Sequence, residues 1–311
     1  MIKLHFIFGF LLLFNMTALG SSFTMIDQFG ASASAIAIGK FKGHSHGSDA
    51  IFGNPAALSR IQKNSLSAFN ASILADLVHY SAFSFARAFG RHRIAIGRYS
   101  VQVNALSKVK QFQRIRHYDY EDRLFKLSYQ YQYSDTFSLA LSPVFYRQSQ
   151  DTITGTGSNL DIGLLLERPR YYISALAQNI LPNRSVQFSD HSDEFGTYEE
   201  LLPLHLYFGT HVQVIDSVAL LGQLAILERL NRDNRRQLYP LPSLGLIYRP
   251  LQKLQLRIGT YRDLSVALIY HQRHSIGMVL SLLRLSLAYT YQVNDYTSDP
   301  NQHLFSIQYQ F

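Results

Sequence analysis

From about residue 64 to the end, apolar and polar residues take turns one by one. That period of two restricts the chain to β-strands with one greasy and one wet face. Phe125, Leu127, Tyr129, Tyr131 and Tyr133 alternate with Lys126, Ser128, Gln130 and Gln132. Leu285, Leu287, Tyr289, Tyr291 and Val293 follow the same rule, as do Phe305, Ile307, Tyr309 and Phe311 against Ser306, Gln308 and Gln310. Wet faces of this length imply a polar interior or solvent on that side. After residue 20 the longest apolar stretches are 218–227, broken by Gly222 and Gln223, and 276–283. Neither reaches the ~18 residues that mark a spanning helix. A mean hydropathy of −0.03 still suits a membrane-spanning barrel, because a strand that faces lipid on one side and a polar lumen on the other averages to near zero.

The alternating segments run over residues 64–72, 77–88, 91–103, 121–133, 136–149, 156–168, 170–180, 203–214, 217–229 and 238–249, then through 253–293, and finally 302–311. Tight turns (Phe89-Gly90, Ser134-Asp135, Arg168-Pro169, Ile215-Asp216, Pro250-Leu251) alternate with longer polar links at 104–120, 150–155, 181–202, 230–237 and 294–301. Sorting of short and long connections onto two rims is the mark of an up-and-down antiparallel transmembrane β-barrel. The region 253–293 can be cut into three strands or four; with both chain ends on the short-turn side the strand number is even, and three bring the total to fourteen. Apolar parity flips between Ile94, Ile96 and Tyr99, Val101, Val103, which predicts a bulge at Gly97-Arg98. Pro143 removes a ladder donor inside a strand and predicts a kink or bulge there.

Composition agrees with an exported sheet protein. Charged residues make up 16% of the 311, while 20 Tyr and 21 Phe lift the aromatics to 13%. Such side chains suit a polar/apolar boundary. The complete lack of Cys excludes disulfide scaffolds, thiolate metal sites and cysteine nucleophiles. Lys3, the apolar residues 4–14 and the small residues around Ala18-Leu19-Gly20 have the order of a secretory signal. The expected organisation is therefore a signal peptide at 1–20, an N-terminal hatch or plug at 21–63 and the barrel at 64–311. The expected location is the outer membrane of a Gram-negative bacterium. Phe311, an aromatic closing the last strand, resembles the insertion signal of such barrels.

Residues 21–63 differ from the rest: small residues come first, then Asp49-Ala50-Ile51-Phe52-Gly53-Asn54-Pro55-Ala56-Ala57-Leu58. Asn54 is a good N-cap and Pro55 a good first helical residue, so a short helix is expected there, packed in the barrel lumen. The run 29–58, and above all Asp49, Asn54, Pro55, Ala56 and Leu58, resembles the hatch of the PorV/PorQ family, which is related to FadL-type outer-membrane transporters. Further echoes are Leu160-Asp161-Ile162-Gly163-Leu164, Gln178-Asn179-Ile180-Leu181, Leu202-Pro203, Leu256-Arg257-Ile258-Gly259 and His303-Leu304-Phe305-Ser306-Ile307. The resemblance implies a fourteen-stranded barrel with an internal N-terminal segment and one of two non-enzymatic roles. The first is a component of type IX secretion or cell-surface assembly that binds outer-membrane protein partners; the alternative is a transporter of hydrophobic small molecules.

Other motifs carry less. His44-Ser45-His46 with Asp49 has metal-ligand residue types on a glycine-flanked loop, without the spacing of a built site, so no metal and no cofactor is expected. Asp190-His191-Ser192-Asp193-Glu194 holds the residue types of a hydrolase triad side by side, whereas triads converge in space. Gly155-Thr156-Gly157 lacks the context of a phosphate loop. Arg229, Arg232, Arg235 and Arg236 form a basic link suited to anionic lipid or lipopolysaccharide phosphates, or to a protein partner. Lys108, Lys110, Arg114 and Arg116, with Phe112, Tyr118 and Tyr120, form a second on the same rim. Nucleic-acid binding is not expected for an exported barrel without a reading motif.

Overall fold

The computed structural model describes residues 30–73, 77–110, 113–191, 196–230, 235–265, 268–294 and 301–311, with side chains for all but 104–118 and 294. The signal segment, the first part of the hatch (21–29) and Arg232 lie outside the described residues. Among them the strands are β1 (Asn64–Ile73), β2 (Val78–Phe89), β3 (His92–Lys110), β4 (Gln113–Gln132), β5 (Phe137–Gln150), β6 (Ile153–Glu167), β7 (Tyr171–Gln178) and β8 (Ser185–Asp190). They continue with β9 (Thr197–Leu201), β10 (His205–Ile215), β11 (Val218–Leu230), β12 (Arg236–Leu251), β13 (Leu254–Leu264), β14 (Tyr270–Leu282), β15 (Leu285–Asn294) and β16 (Gln302–Gln310).

Each strand from β1 to β7 pairs antiparallel with the next; β7 pairs with β10, β10 to β16 follow in order, and β16 returns to β1 from Ser65↔Gln310 to Ala71↔Leu304. The result is a closed fourteen-stranded barrel with no unpaired sheet edge in the ring, and β8 and β9 stand outside the count. At the seam Asn64 and Phe311 exchange backbone hydrogen bonds of 3.0 and 3.1 Å. The region 253–293, divisible by its sequence into three strands or four, holds three.

Side-chain parity sorts the wall. Ile94, Ile96, Phe125, Leu127, Phe208, Leu224, Ile258, Ile276 and Phe305 face outward and are exposed, and so do many more apolar residues around the ring. A belt of that extent is stable against lipid, not against water. Arg98 and Glu121 pair on the same outer face at 3.4 Å, and Glu121 also pairs with Arg123. These charges mark the upper limit of the belt on β3 and β4.

The structure corrects four expectations. The link at 104–120 is strand: β3 and β4 pair to Lys110↔Gln113, so a twenty-residue strand rises far beyond the ~10 residues that cross a membrane. The link at 150–155 shrinks to a turn at Asp151-Thr152, and 181–202 carries the β8–β9 hairpin, which pairs with the upper end of β6. There is no bulge at Gly97-Arg98, because β2–β3 register runs unbroken from Val78↔Val103 to Phe89↔His92. The parity flip reflects a change of surroundings instead: Ile94 and Ile96 face lipid, whereas Tyr99, Val101 and Val103 face an apolar interior. The register shifts of β3 lie in its pairing with β4, higher up and past Val103. At Pro143 the pairing with β4 lapses between Lys126↔Val144 and Tyr129↔Leu141 without a shift of register. Buried Ser128 and Ser142 bridge the gap with a side-chain hydrogen bond.

Candidate functional site

Residues 30–63 lie inside the barrel. They form a one-turn helix α1 (Ala33–Ile36) and two short 3₁₀ turns, Ser48–Ile51 and Pro55–Arg60. Ile36, Ile38, Phe41, Ile51, Leu58 and Ile61 are all buried in this position. Too short to be stable alone, the segment is held by the wall it touches.

Asn54 is the main pin. Its Oδ1 accepts from Ala56 N at 3.0 Å, the expected cap before Pro55, while its Nδ2 donates to Leu164 O and Ala175 O at 2.9 and 3.0 Å. Those two carbonyls belong to paired residues of β6 and β7, so the cap residue also ties the hatch to the wall. Ala56 and Leu58 are fully buried. Arg60, which the sequence analysis did not single out, donates to Gly43 O, Ser45 O and Glu167 and stacks on Tyr172. Ser48 Oγ meets Ser67 Oγ and Ser84 Oγ at 2.9 Å in a buried trio. Thr290 Oγ1 and Arg257 Nη1 donate to Ala33 O and Ser34 O, each at 2.7 Å.

Glycines at inward positions give the hatch its seat. Gly245 on β12 pairs with Gly259 on β13, and Gly277 lies on β14 opposite Arg257, two residues from the partner of Gly259. A Cβ at Gly245 would stand 2.7 Å from Ile38 O and one at Gly277 2.8 Å from Ala37 Cβ, while one at Gly259 would land on Gly39 N. Gly39 itself, at φ +78°, needs the left-handed freedom of glycine as the chain turns away. Gly97 accommodates Phe52, Gly209 accommodates Phe41, and a Cβ at Gly163 would displace Asn54. The sequence signal was available: glycine at wet-face parity in otherwise regular strands.

The hatch divides two unlike lumenal zones. Above it, toward the rim of long links, Phe69, Val78, Tyr80, Tyr99, Val101, Val103, Leu124 and Tyr146 face inward and are buried, with Asp122 and Gln148 buried among them. Phe52 forms the floor of this apolar zone, with ring centroids 6.0 Å from Tyr99, and Tyr99 OH donates to Gly30 O. Beside and below the hatch the inward residues on β1 to β5 are small or polar: Ser65, Ser67, Ser84, Ala86, Ala95, Gln130, Ser138, Ala140 and Ser142. A cavity of about 410 Å³ opens there among Phe52, His46, Asp49, Arg249, Arg257 and Arg284. Burial and nearby arginines hold the imidazoles of His44 and His46 well below the ordinary histidine range, and burial raises the Asp49 carboxyl against the hydrogen bond from Ser45.

Polar side chains also stabilise the one place where the wall is irregular. β7 ends at Gln178, Asn179 adopts φ 58°, and the chain crosses inward before β8 resumes. Here side chains of β6 replace ladder partners: Asp161 accepts from Asn179 N at 3.0 Å and Asn159 from Leu181 N at 2.9 Å. Lys126 on β4 reaches over β5 to Asp161 at 2.6 Å, with side chains only 2% and 1% exposed. At β12 the pairing with β13 stops above Ser243↔Tyr261, where Pro240 and Pro242 lack donors. Leu227, Tyr239 and Leu264 pack as a separate apolar cluster over that seam.

The remaining candidates scatter. Arg229 is buried on β11, whereas Arg235 and Arg236 are exposed at the start of β12, and Arg236 pairs with Glu228 at 3.3 Å. His44 Nδ1 bonds Tyr172 OH at 2.7 Å, with His46 edge-on to it. Asp190 accepts from Thr152 and His191 lies beside the same residue, while 192–194 lie outside the described residues. Gly155 and Gly157 make room for Phe188 and Val186 of β8. Phe311 is exposed and stacks on Tyr309 at the end of β16.

No protein-family model and no curated protein matches the sequence. Solved structures do match. The toluene transporter TodX of P. putida is 11% identical, with 92% of this chain and 99% of that one covered and a TM-score of 0.66. The CymD monoaromatic hydrocarbon channel is 11% identical over 91% of this chain and 98% of its own, with a TM-score of 0.64. A Pseudomonas aeruginosa FadL homologue is 12% identical over 90% and 98%, with a TM-score of 0.61. None of these likenesses supports the PorV/PorQ assignment. They show that the chain shares the barrel fold of FadL-type outer-membrane channels.

Proposed function

We propose that the protein is a non-enzymatic outer-membrane conduit for small apolar molecules, with residues 30–63 as its movable plug. The observation that carries this reading is the cluster of buried aromatic and branched side chains, Val78, Tyr80, Tyr99, Val101 and Val103, that faces the lumen above Phe52. An apolar solute leaves water for the zone of Val78, Tyr80, Tyr99, Val101 and Val103 for the same reason that those side chains are buried, at about 25 cal/mol per Å² removed from water. It is stopped at Phe52, and passage then requires the hatch to shift. The fold shared with a toluene transporter and a hydrocarbon channel supports the same class of cargo. On this reading the long-link rim faces outside, the short turns face the periplasm, residues 1–20 direct export and Phe311 directs insertion. The secretion role implied by the PorV/PorQ resemblance rests on the sequence of residues 29–58, and no contact described above favours it over the conduit.

Gram-negative host cells that display the protein should take up radiolabelled toluene several-fold faster than cells without it, with no gain for a disaccharide. Val101→Asp, which puts a second buried carboxyl opposite Asp122 in place of an apolar side chain, should return toluene uptake to the background while the barrel still inserts. Equal toluene uptake with and without the protein would refute the conduit.

A further inference from the structure

The cavity below the hatch has a charge imbalance that conduction of apolar molecules does not use. Its lining carries three arginines, Arg249, Arg257 and Arg284, and a single carboxylate, Asp49. Asp49 is engaged by Ser45. Arg257 is 4% exposed and spends Nη1 on Ser34 O and Nη2 on Gln255 Oε1, while its buried Nε has no partner. Arg249 donates to Gln213 Oε1 at 2.9 Å. Among the described residues none of the three arginines forms an ion pair with a carboxylate. A guanidinium withdrawn from water without a counter-ion is costly, and a cleft with low-dielectric walls and one sign of charge concentrates ions of the other sign. Ser281, Ser286 and Gln308 supply neutral hydrogen-bonding groups on the same lining, and the exposed turn residues Leu283 and Arg284 place its mouth at the short-turn rim.

We propose that this vestibule is a binding site for a small multivalent oxyanion, of phosphate or carboxylate chemistry, that enters from the short-turn rim. The anion's charge is shared by the guanidinium groups of Arg249, Arg257 and Arg284, all three of which line the cavity. A free anion and a lipid headgroup offer the same chemistry, and the test separates them.

Full-length protein in a neutral detergent is titrated calorimetrically with citrate and with inorganic phosphate, and native mass spectrometry follows retained phosphatidylglycerol. The expected result is saturable binding of one anion per barrel, weakened at least tenfold in Arg257→Gln and in Arg284→Gln and falling as salt rises. One retained phosphatidylglycerol in the parent, lost in both variants and not displaced by citrate, would assign the site to a headgroup. Arg257 also holds Ser34, so its variant could act by loosening the hatch; Arg284 sits on an exposed turn and is the cleaner probe. No saturable binding of any of the three probes, or binding that Arg284→Gln leaves unchanged, would overturn the proposal.

Discussion

Asp161→Ala should destabilise the folded barrel by about 3–5 kcal/mol, the usual cost of leaving a buried charge without its partner. Lys126 would keep its ammonium in a site that is 2% exposed, with the carboxylate at 2.6 Å gone. Asn179 N would lose its acceptor at the point where β7 leaves the wall. Urea unfolding of the detergent-folded protein, followed by tryptophan-free near-ultraviolet signals from its tyrosines, measures the loss. The double variant Lys126→Met/Asp161→Leu separates charge from packing: with both charges removed, most of the stability should return. If the double variant is as unstable as Asp161→Ala, the ion pair is not the source of the effect.

The second large effect is expected from Gly259→Leu. Its side chain would occupy the space of hatch backbone at residues 37–39, between Gly245 and Gly277, which crowd the same segment. Backbone on both sides cannot give way as the end of a flexible side chain can, and forced overpacking of this kind costs about 1–3 kcal/mol or more. The barrel ladder from β12 to β14 does not depend on the hatch, so the wall should stay folded while the plug is expelled. Planar-bilayer recordings should then show a large, steady conductance absent from the parent, and added protease should cut within residues 30–63. Parent-like closure in Gly259→Leu would mean that the hatch is seated elsewhere.

The strands were legible because a wall between lipid and a wet lumen leaves a period of two that no other architecture in this chain would produce. The division of 253–293 was not, because the period continues through turns as short as Leu283-Arg284 and allows three strands or four. The Asn54-Pro55 start was legible too, since capping is local chemistry. What escaped was whatever depended on partners distant in sequence. The reach of Asn54 Nδ2 to Leu164 O and Ala175 O spans more than a hundred residues, and Arg60 with Glu167 is a similar case. The bulge expected at Gly97-Arg98 failed for a different reason. The rule that apolar residues share a face assumes one apolar environment, whereas this barrel has two, lipid outside Ile94 and Ile96 and the upper lumen inside Tyr99 and Val101. Similarly, polar residues 104–120 read as a loop because strands that stand above the membrane no longer need an apolar face.

A reversible lock on the hatch tests the central claim most directly. The chain has no Cys of its own, and Ser48 Oγ on the hatch lies 2.9 Å from Ser84 Oγ on β2, so Ser48→Cys/Ser84→Cys can close a disulfide across that contact. Toluene uptake is measured in intact cells with the bond formed, verified by mass spectrometry, and again after reduction. The account predicts at least a tenfold fall in protein-dependent uptake in the oxidised state and recovery on reduction. Unchanged uptake through a barrel whose hatch is fully cross-linked to its wall would contradict it.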